Sequence, residues 1–266
     1  MFRARGYQSW ARMAAEGKLT PAAAQFWGEK PAEELYDMDA DPDNVKNLAS
    51  DPAHRATLQQ MRAALRRHTL EINDNGFLPE GSDLEGYDAS RTAGAYPLDR
   101  VFATANLASE RNPANLPRLT AALEDASEPV RWWAAQGCAM LGDKAAPAEA
   151  ALRRLLDDPS AGVQIAAAEA LARLGKFDAA LPVLEGWLLK KTDSPSSLQA
   201  ANVLGRLGET ARPALPAMKH VLHMPVPPED NAGQGRPYPQ RAVRRIVAEL
   251  EGRLPRLVYP AISPEQ

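Results

Sequence analysis

The sequence predicts a mostly α-helical protein whose second half is an α/α superhelix of stacked helical pairs. Three observations carry that reading. Leu141-Gly142, Leu174-Gly175 and Leu207-Gly208 recur at a spacing of 33 residues. In the same register stand Ala134-Ala135, Ala167-Ala168 and Ala200-Ala201, each followed by a larger apolar residue, Cys138, Leu171 or Leu204. Alanine is abundant while aromatics make up only 6%, a composition suited to closely packed helices. A fixed period with matched small and large positions marks units that bury their apolar faces against their neighbours.

Taken in chain order, the first elements are two helical pieces between Gln8 and Trp27, separated by Gly17-Lys18-Leu19. The string PAEELYDMDADPDNVKNLASDP follows over residues 31–52. Within it Glu34-Leu35-Tyr36 is a short β-leaning piece. Asp41-Pro42-Asp43-Asn44 is a turn in which proline fixes φ and the Asx side chains bond the backbone. Ala53–Ile72 reads as an amphipathic helix, with Leu58, Met61, Leu65 and Leu70 at helical spacing. Residues 73–95, NDNGFLPEGSDLEGYDASRTAGA, are rich in Gly, Asp and Ser and read as a surface-running linker.

The repeats occupy residues 96–253. Inner helices are predicted near 98–110, 129–141, 162–174 and 195–207, and outer helices near 115–124, 147–157, 178–190 and 212–223. In the clearest unit Val163, Ala166, Ala167, Ala170, Leu171 and Leu174 recur at three and four, the stripe of a helix buried on one face. Each Leu-Gly glycine ends its helix in a conformation that costs other residues energy. Pro129, Pro147, Pro182, Pro195 and Pro213 are expected at or near helix starts, where a missing N–H does no harm. A polar loop, PVPPEDNAGQGRPYPQ (225–240), interrupts the fourth unit before the helix QRAVRRIVAELEG, which is expected to cap the stack. Residues 254–266 form a tail.

Asp125, Val130-Arg131, Ala134-Ala135 and Leu141-Gly142 together resemble the HEAT repeat in its short bacterial form. The second unit keeps Asp158, Val163, Ala167-Ala168 and Leu174-Gly175 but has Gln164 in place of the arginine. The third keeps the alanines and Leu207-Gly208 but has Ser197 at the valine position. Such a scaffold offers a surface for partners rather than a catalytic pocket.

Leu35-Tyr36-Asp37, Asp41-Pro42 and Asn47-Leu48-Ala49 resemble the C-terminal segment of sulfatases. The run from Gln8 through Trp27 resembles the heparan N-sulfatase-like group. The resemblance spans roughly residues 2–80 and implies a small α+β subdomain, over 1–72, on whose sheet the helix 53–72 packs. Asn44 departs from the glutamate frequent in the family. Sulfatases act through an oxidised Cys or Ser in a Cys/Ser-x-Pro/Ala-x-Arg motif beside a calcium ion, all in an N-terminal domain, and this chain is expected to start after it. Met1 reads as internal, because Phe2–Trp10 carries domain-like aromatics. The chain is then a truncated gene, a mis-called start or a piece separated from its catalytic half. Calcium is expected only in the full-length parent. Arg3, Arg5 and Trp10 are the residues to watch for cleft contacts.

No residue reads as catalytic, cofactor-binding or metal-ligating. Ser127-Glu128-Pro129-Val130-Arg131 fits the sulfatase motif but falls at a helix start inside a repeat, where Ser caps and Pro takes the first turn. Asp37, Asp39, Asp41 and Asp43 have calcium-loop spacing, yet Pro42 stands where such a loop needs Gly and Leu48 where it needs Glu. His220 and His223 are three apart on a helix without a third ligand in register. Cys138 is the single cysteine, which excludes an intramolecular disulfide or a cysteine metal cluster, and it points into the repeat core. A net charge of -3 gives no default attraction to nucleic acid, and no apolar run approaches the ~18 residues of a membrane span. The N-terminus lacks an apolar signal-peptide core, while a full-length parent could be exported or periplasmic. The expected function is the non-catalytic C-terminal part of a sulfuric ester or sulfamate hydrolase carrying a repeat scaffold, inactive alone. Its partner would be a sulfatase catalytic domain or another protein on the repeats. The alternative is a free-standing interaction module.

Overall fold

A computed structural model describes residues 5–190, 194–225 and 238–254. Among them the fold is helical throughout, with no strand. The chain divides into two compact units, one up to Arg66 and the other Arg67–Leu254. The polar loop of residues 226–237 and the tail from 255 lie outside the described residues.

The first unit contains α1 (Arg5–Ala15), α2 (Pro21–Ala24) and a 3-10 turn at Gln25–Trp27. Thr20 caps α2 by accepting from the Ala23 N–H, as its position before a proline at the first turn requires. An aromatic cluster holds these pieces together: Trp10 stacks on Phe26 at 4.5 Å between centroids and meets Trp27 edge-on at 5.2 Å. A second small core is formed by Leu35, Leu48 and Leu58.

The expected α+β subdomain is not found, since no strand forms among the described residues of the first unit. Leu35 lies in a stretch without regular secondary structure; its N–H bonds the Asn47 side-chain oxygen (3.0 Å) and its carbonyl accepts from Leu48 N–H (2.7 Å). Asn47 also donates to the Glu33 carbonyl and accepts from Ala49 N–H. The Asn47 amide and the Leu48 N–H thus satisfy the groups that a neighbouring strand would otherwise pair, and no ladder forms. The helix α3 (Arg55–Glu71) has no sheet to lie on. Leu58 is buried, whereas Met61 and Leu65 are 54% and 59% exposed and residues 61–68 are exposed on every face.

The second unit contains α4 (Tyr87–Arg91) and then the repeat helices: α5 (Leu98–Ser109), α6 (Leu116–Ala122), α7 (Glu128–Leu141), α8 (Glu149–Arg154), α9 (Ala161–Arg173), α10 (Phe177–Leu188), α11 (Ser194–Leu207), α12 (Leu215–His223) and α13 (Tyr238–Leu250). The odd-numbered helices from α5 pack in succession on one another, and the even-numbered ones back them. One continuous core runs from Ala108 to Leu250. Its centre is α9, where Ala166, Ala167, Ala170 and Leu171 are at most 1% exposed. The predicted stripe is therefore buried, and so is the opposite side of the helix at Gly162, Ile165, Glu169 and Ala172.

Gly142, Gly175 and Gly208 all take positive φ (55°, 75° and 59°), the conformation for which the register selects glycine. Proline placement differs from expectation in one unit. Pro182 sits inside α10 rather than at its start. The predicted outer helix 147–157 is a 3-10 stretch, Gly142–Ala148, then α8, then a 3-10 turn at Leu155–Asp157. Residues 73–95 carry α4 and an irregular stretch whose Phe77, Leu78 and Leu84 pack on the cluster of Tyr96, Leu98, Val101, Phe102 and Val130.

Candidate interaction surfaces

Of the residues weighed for catalysis, Arg131 holds successive repeats together, whereas the Ser127 hydroxyl bonds nothing. Ser127 takes the N-cap position of α7, but its hydroxyl makes no capping bond and is buried without a partner. Its counterpart Ser160 does cap α9 through Val163 N–H. Arg131, the arginine of the motif look-alike, bonds Asp158 through two nitrogens (2.7 and 3.0 Å) and the carbonyls of Asp125 and Ala126. Asp125 and Asp158 in turn each accept from the N–H two residues on, at Ser127 and Ser160. Arg131 therefore ties one repeat to the next. Gln164 keeps only the local half of that role, donating to the Asp158 carbonyl at 2.7 Å.

Cys138 is 1% exposed, and burial pushes its thiol up to about 12. The acidic run before α3 spends its carboxylates on turns: Asp37 accepts from Asp39 and Ala40 N–H, and Asp41 from Lys46 N–H. His220 and His223 are exposed near the end of α12. Arg5 is exposed at the start of α1, Trp10 belongs to the aromatic cluster, and Arg3 lies outside the described residues.

Two surfaces of the second unit carry polar chemistry that reading the sequence did not single out. The first is an open groove of about 570 Å³ across the C-terminal ends of α7, α9 and α11. Met140, Arg173 and Arg206 line it at one repeat position, with Asp143, Phe177 and Thr210 beside them. Beneath it lies Glu169, whose side chain is 4% exposed and is held by Arg173 (3.0 Å) and Arg206 (2.5 Å). Burial by itself raises the Glu169 pKa, but hydrogen bonds and charge from Arg206 and Arg173 outweigh it and hold the carboxyl below its usual range. A glutamate inside the run Ala166-Ala167-Ala168-Glu169-Ala170 is the signal that could have found this site.

The second surface lies at the other ends of the same helices. Residues 77–84 cross it. Trp133 Nε1 donates to the Phe77 carbonyl (2.9 Å) and Gln199 Nε2 to the Glu80 carbonyl (2.6 Å). The Phe77 ring meets Phe102 edge-on at 5.4 Å. Ser82 donates to Glu128 (2.6 Å), whose other oxygen accepts from Ser160 (2.7 Å). No group of three or more His, Cys, Asp or Glu side chains is placed to hold a metal among the described residues.

The match to a family model agrees with the repeat architecture. Residues 116–205 match the family of HEAT repeats. The matched stretch runs from α6 into α11. Over 74 residues the chain is 40% identical to an ulvan-active sulfatase of Formosa agariphila. That match covers 27% of this chain and only 12% of the sulfatase. Among solved structures, the chain is similar to the complex of CpcE and CpcF of phycocyanin lyase from Nostoc sp. PCC7120. The identity there is 24%, the TM-score 0.33, and the match covers 84% of this chain and 98% of that one.

Proposed function

We propose that this chain is a non-catalytic HEAT-repeat scaffold serving a sulfatase, with residues 1–72 as the sulfatase-type segment and the repeats as its interaction surface. One observation carries the scaffold part: polar and apolar side chains recur at one repeat position along an open groove, Met140, Arg173 and Arg206. A helical stack with its core closed between neighbours has nothing else to offer but such a surface. The sulfatase part is supported by the 40% match and by the exposed Met61 and Leu65 of α3. An apolar pair on an otherwise solvated helix is what a docking partner would cover. In this reading the chain brings no catalytic residue or cofactor of its own, calcium and nucleophile belong to the catalytic half, and the reaction is hydrolysis of a sulfuric ester or sulfamate.

The test is photo-crosslinking in the source cells, with benzoylphenylalanine replacing Leu65 or Met140. At position 65 the expected adducts are peptides of a sulfatase catalytic domain carrying the Cys/Ser-x-Pro/Ala-x-Arg motif. At position 140 the expected adduct is a different protein. Capture at 140 alone would leave a free-standing interaction module, and no capture at either would overturn the scaffold reading. The purified chain is expected to leave 4-nitrocatechol sulfate unhydrolysed.

A further inference from the structure

Trp133 and Gln199 are separated by twice the 33-residue period, so they occupy the same repeat position two units apart. Both donate side-chain N–H groups to main-chain carbonyls of one irregular segment, at Phe77 and Glu80. Side-chain donors aimed at backbone carbonyls let a rigid surface hold a chain whatever its sequence, while pockets for individual side chains supply selectivity. Two such pockets are filled here. Phe77 enters the cluster with Phe102 and Trp133, and Ser82, five residues on, donates a hydrogen bond to Glu128. Pro79 and Ser82 are buried while Glu80, Gly81, Asp83 and Glu85 face solvent.

The helices beneath do not need this segment for their own hydrogen bonding. Ser160 caps α9, Asp125 and Asp158 hold the turns before α7 and α9, and the core of the stack lies between the helices. We infer that this end of α7, α9 and α11 is a peptide-reading face, and that residues 77–84 are its removable occupant. The partner it fits is a protein segment folded in successive turns, as Ser82 N–H to Pro79 and Glu85 N–H to Ser82 fold this one, with an aromatic residue followed five positions later by a hydroxyl. This rests on the scaffold reading and names the kind of partner that one face takes.

Gly81 gives the means of testing it. It has φ +80°, and an added Cβ would lie 3.2 Å from the Pro195 Cβ at the start of α11. Gly81→Val therefore pushes the segment off its seat without touching either donor. The probe is a fluorescein-labelled peptide of residues 74–86, followed by anisotropy against the full chain. A site occupied in cis shows an apparent affinity reduced by the fraction of time it is open. The Gly81→Val chain is expected to bind the probe at least roughly tenfold more tightly than the wild type. Adding Trp133→Phe and Gln199→Ala should cost roughly tenfold again, the worth of two net hydrogen bonds. Equal binding by wild type and a Gly81→Val chain with native circular dichroism overturns the inference, as does indifference to the two donor changes. Should Gly81→Val not fold, hydrogen exchange of the wild type decides. Amides of Leu78, Ser82 and Glu85 must exchange by local opening well before those of α9, and simultaneous exchange overturns the inference. Neither assay uses a partner protein, so failure here leaves the crosslinking result at Met140 to stand or fall separately.

Discussion

Glu169 is a carboxylate inside the most alanine-rich helix of the repeats, and two arginines 33 residues apart in sequence close on it from successive inner helices. Removing its charge leaves two half-exposed guanidiniums around a neutral amide, so Glu169→Gln is expected to destabilise the second unit by about 1–2 kcal/mol. Its pKa in the folded chain lies below the ordinary 4.5. The unfolded chain therefore takes up the proton first as pH falls. The stabilisation is complete above about pH 4.5 and is lost on acidification toward the folded value. Urea midpoints measured at several pH values should fall less steeply below that point in Glu169→Gln than in the wild type; parallel curves would refute the assignment. The exposed pairs, such as Arg212 with Glu209, should contribute little. Cys138 should resist Ellman's reagent at pH 8 in the native chain and react at once in denaturant, because a buried thiol raised to about 12 offers almost no thiolate. Reaction at the same rate in both would place the thiol outside the core.

Helix against helix, the register foretells which small residues are obligatory. Gly137 of α7 has no room, since an added Cβ would lie 3.0 Å from both Leu119 methyls and 3.1 Å from the Ala108 Cβ. Overpacking a fixed core costs about 1–3 kcal/mol, against a helix-propensity gain near 1. Gly137→Ala should therefore destabilise by about 1 kcal/mol. Gly205 of α11 faces only the end of the Ile246 side chain, at 3.2 Å. Its register counterparts, Ala139 and Ala172, already carry the methyl group. Gly205→Ala should be neutral or stabilising by up to about 1 kcal/mol, and thermal melts of the two variants moving in the same direction would contradict this. The same period made the inner helices and their glycine ends legible, because each unit states the pattern afresh. It says nothing of contacts made by residues outside it. The seating of Phe77 under Trp133 and of Ser82 on Glu128 joins positions 56 and 46 apart with no repeated signal. The strand expected at Leu35 failed for a related reason: Asn47 supplies by side chain what local propensity assigns to a neighbouring strand. At position 164 glutamine replaces the arginine of the preceding unit, and its side chain donates to the Asp158 carbonyl and accepts from Trp187 Nε1.

For the whole molecule, the division between Arg66 and Arg67 falls inside α3, in the stretch where no side chain from 61 to 68 is buried. A helix in water gains most of its stability from a packed face, and a bare turn of it opens at small cost. Up to Arg66 the buried apolar side chains form two clusters of three, around Trp27 and Leu35, whereas Arg67–Leu254 holds a core continuous over five successive inner helices. Limited trypsin should therefore cut after Arg66 or Arg67 while the repeat helices stay intact. The first resistant fragment is expected to begin at Arg67 or His68 and to reach past α12. Identifying its N-terminus by mass spectrometry checks this, and an early cut between α5 and α12 would show that the stack is the weaker part. If the fragment also keeps the helical signal and melting temperature of the full chain, the repeats fold without the sulfatase-type segment. The groove beside Arg206 and the face under Phe77 could then be assayed on a scaffold free of the exposed Met61 and Leu65.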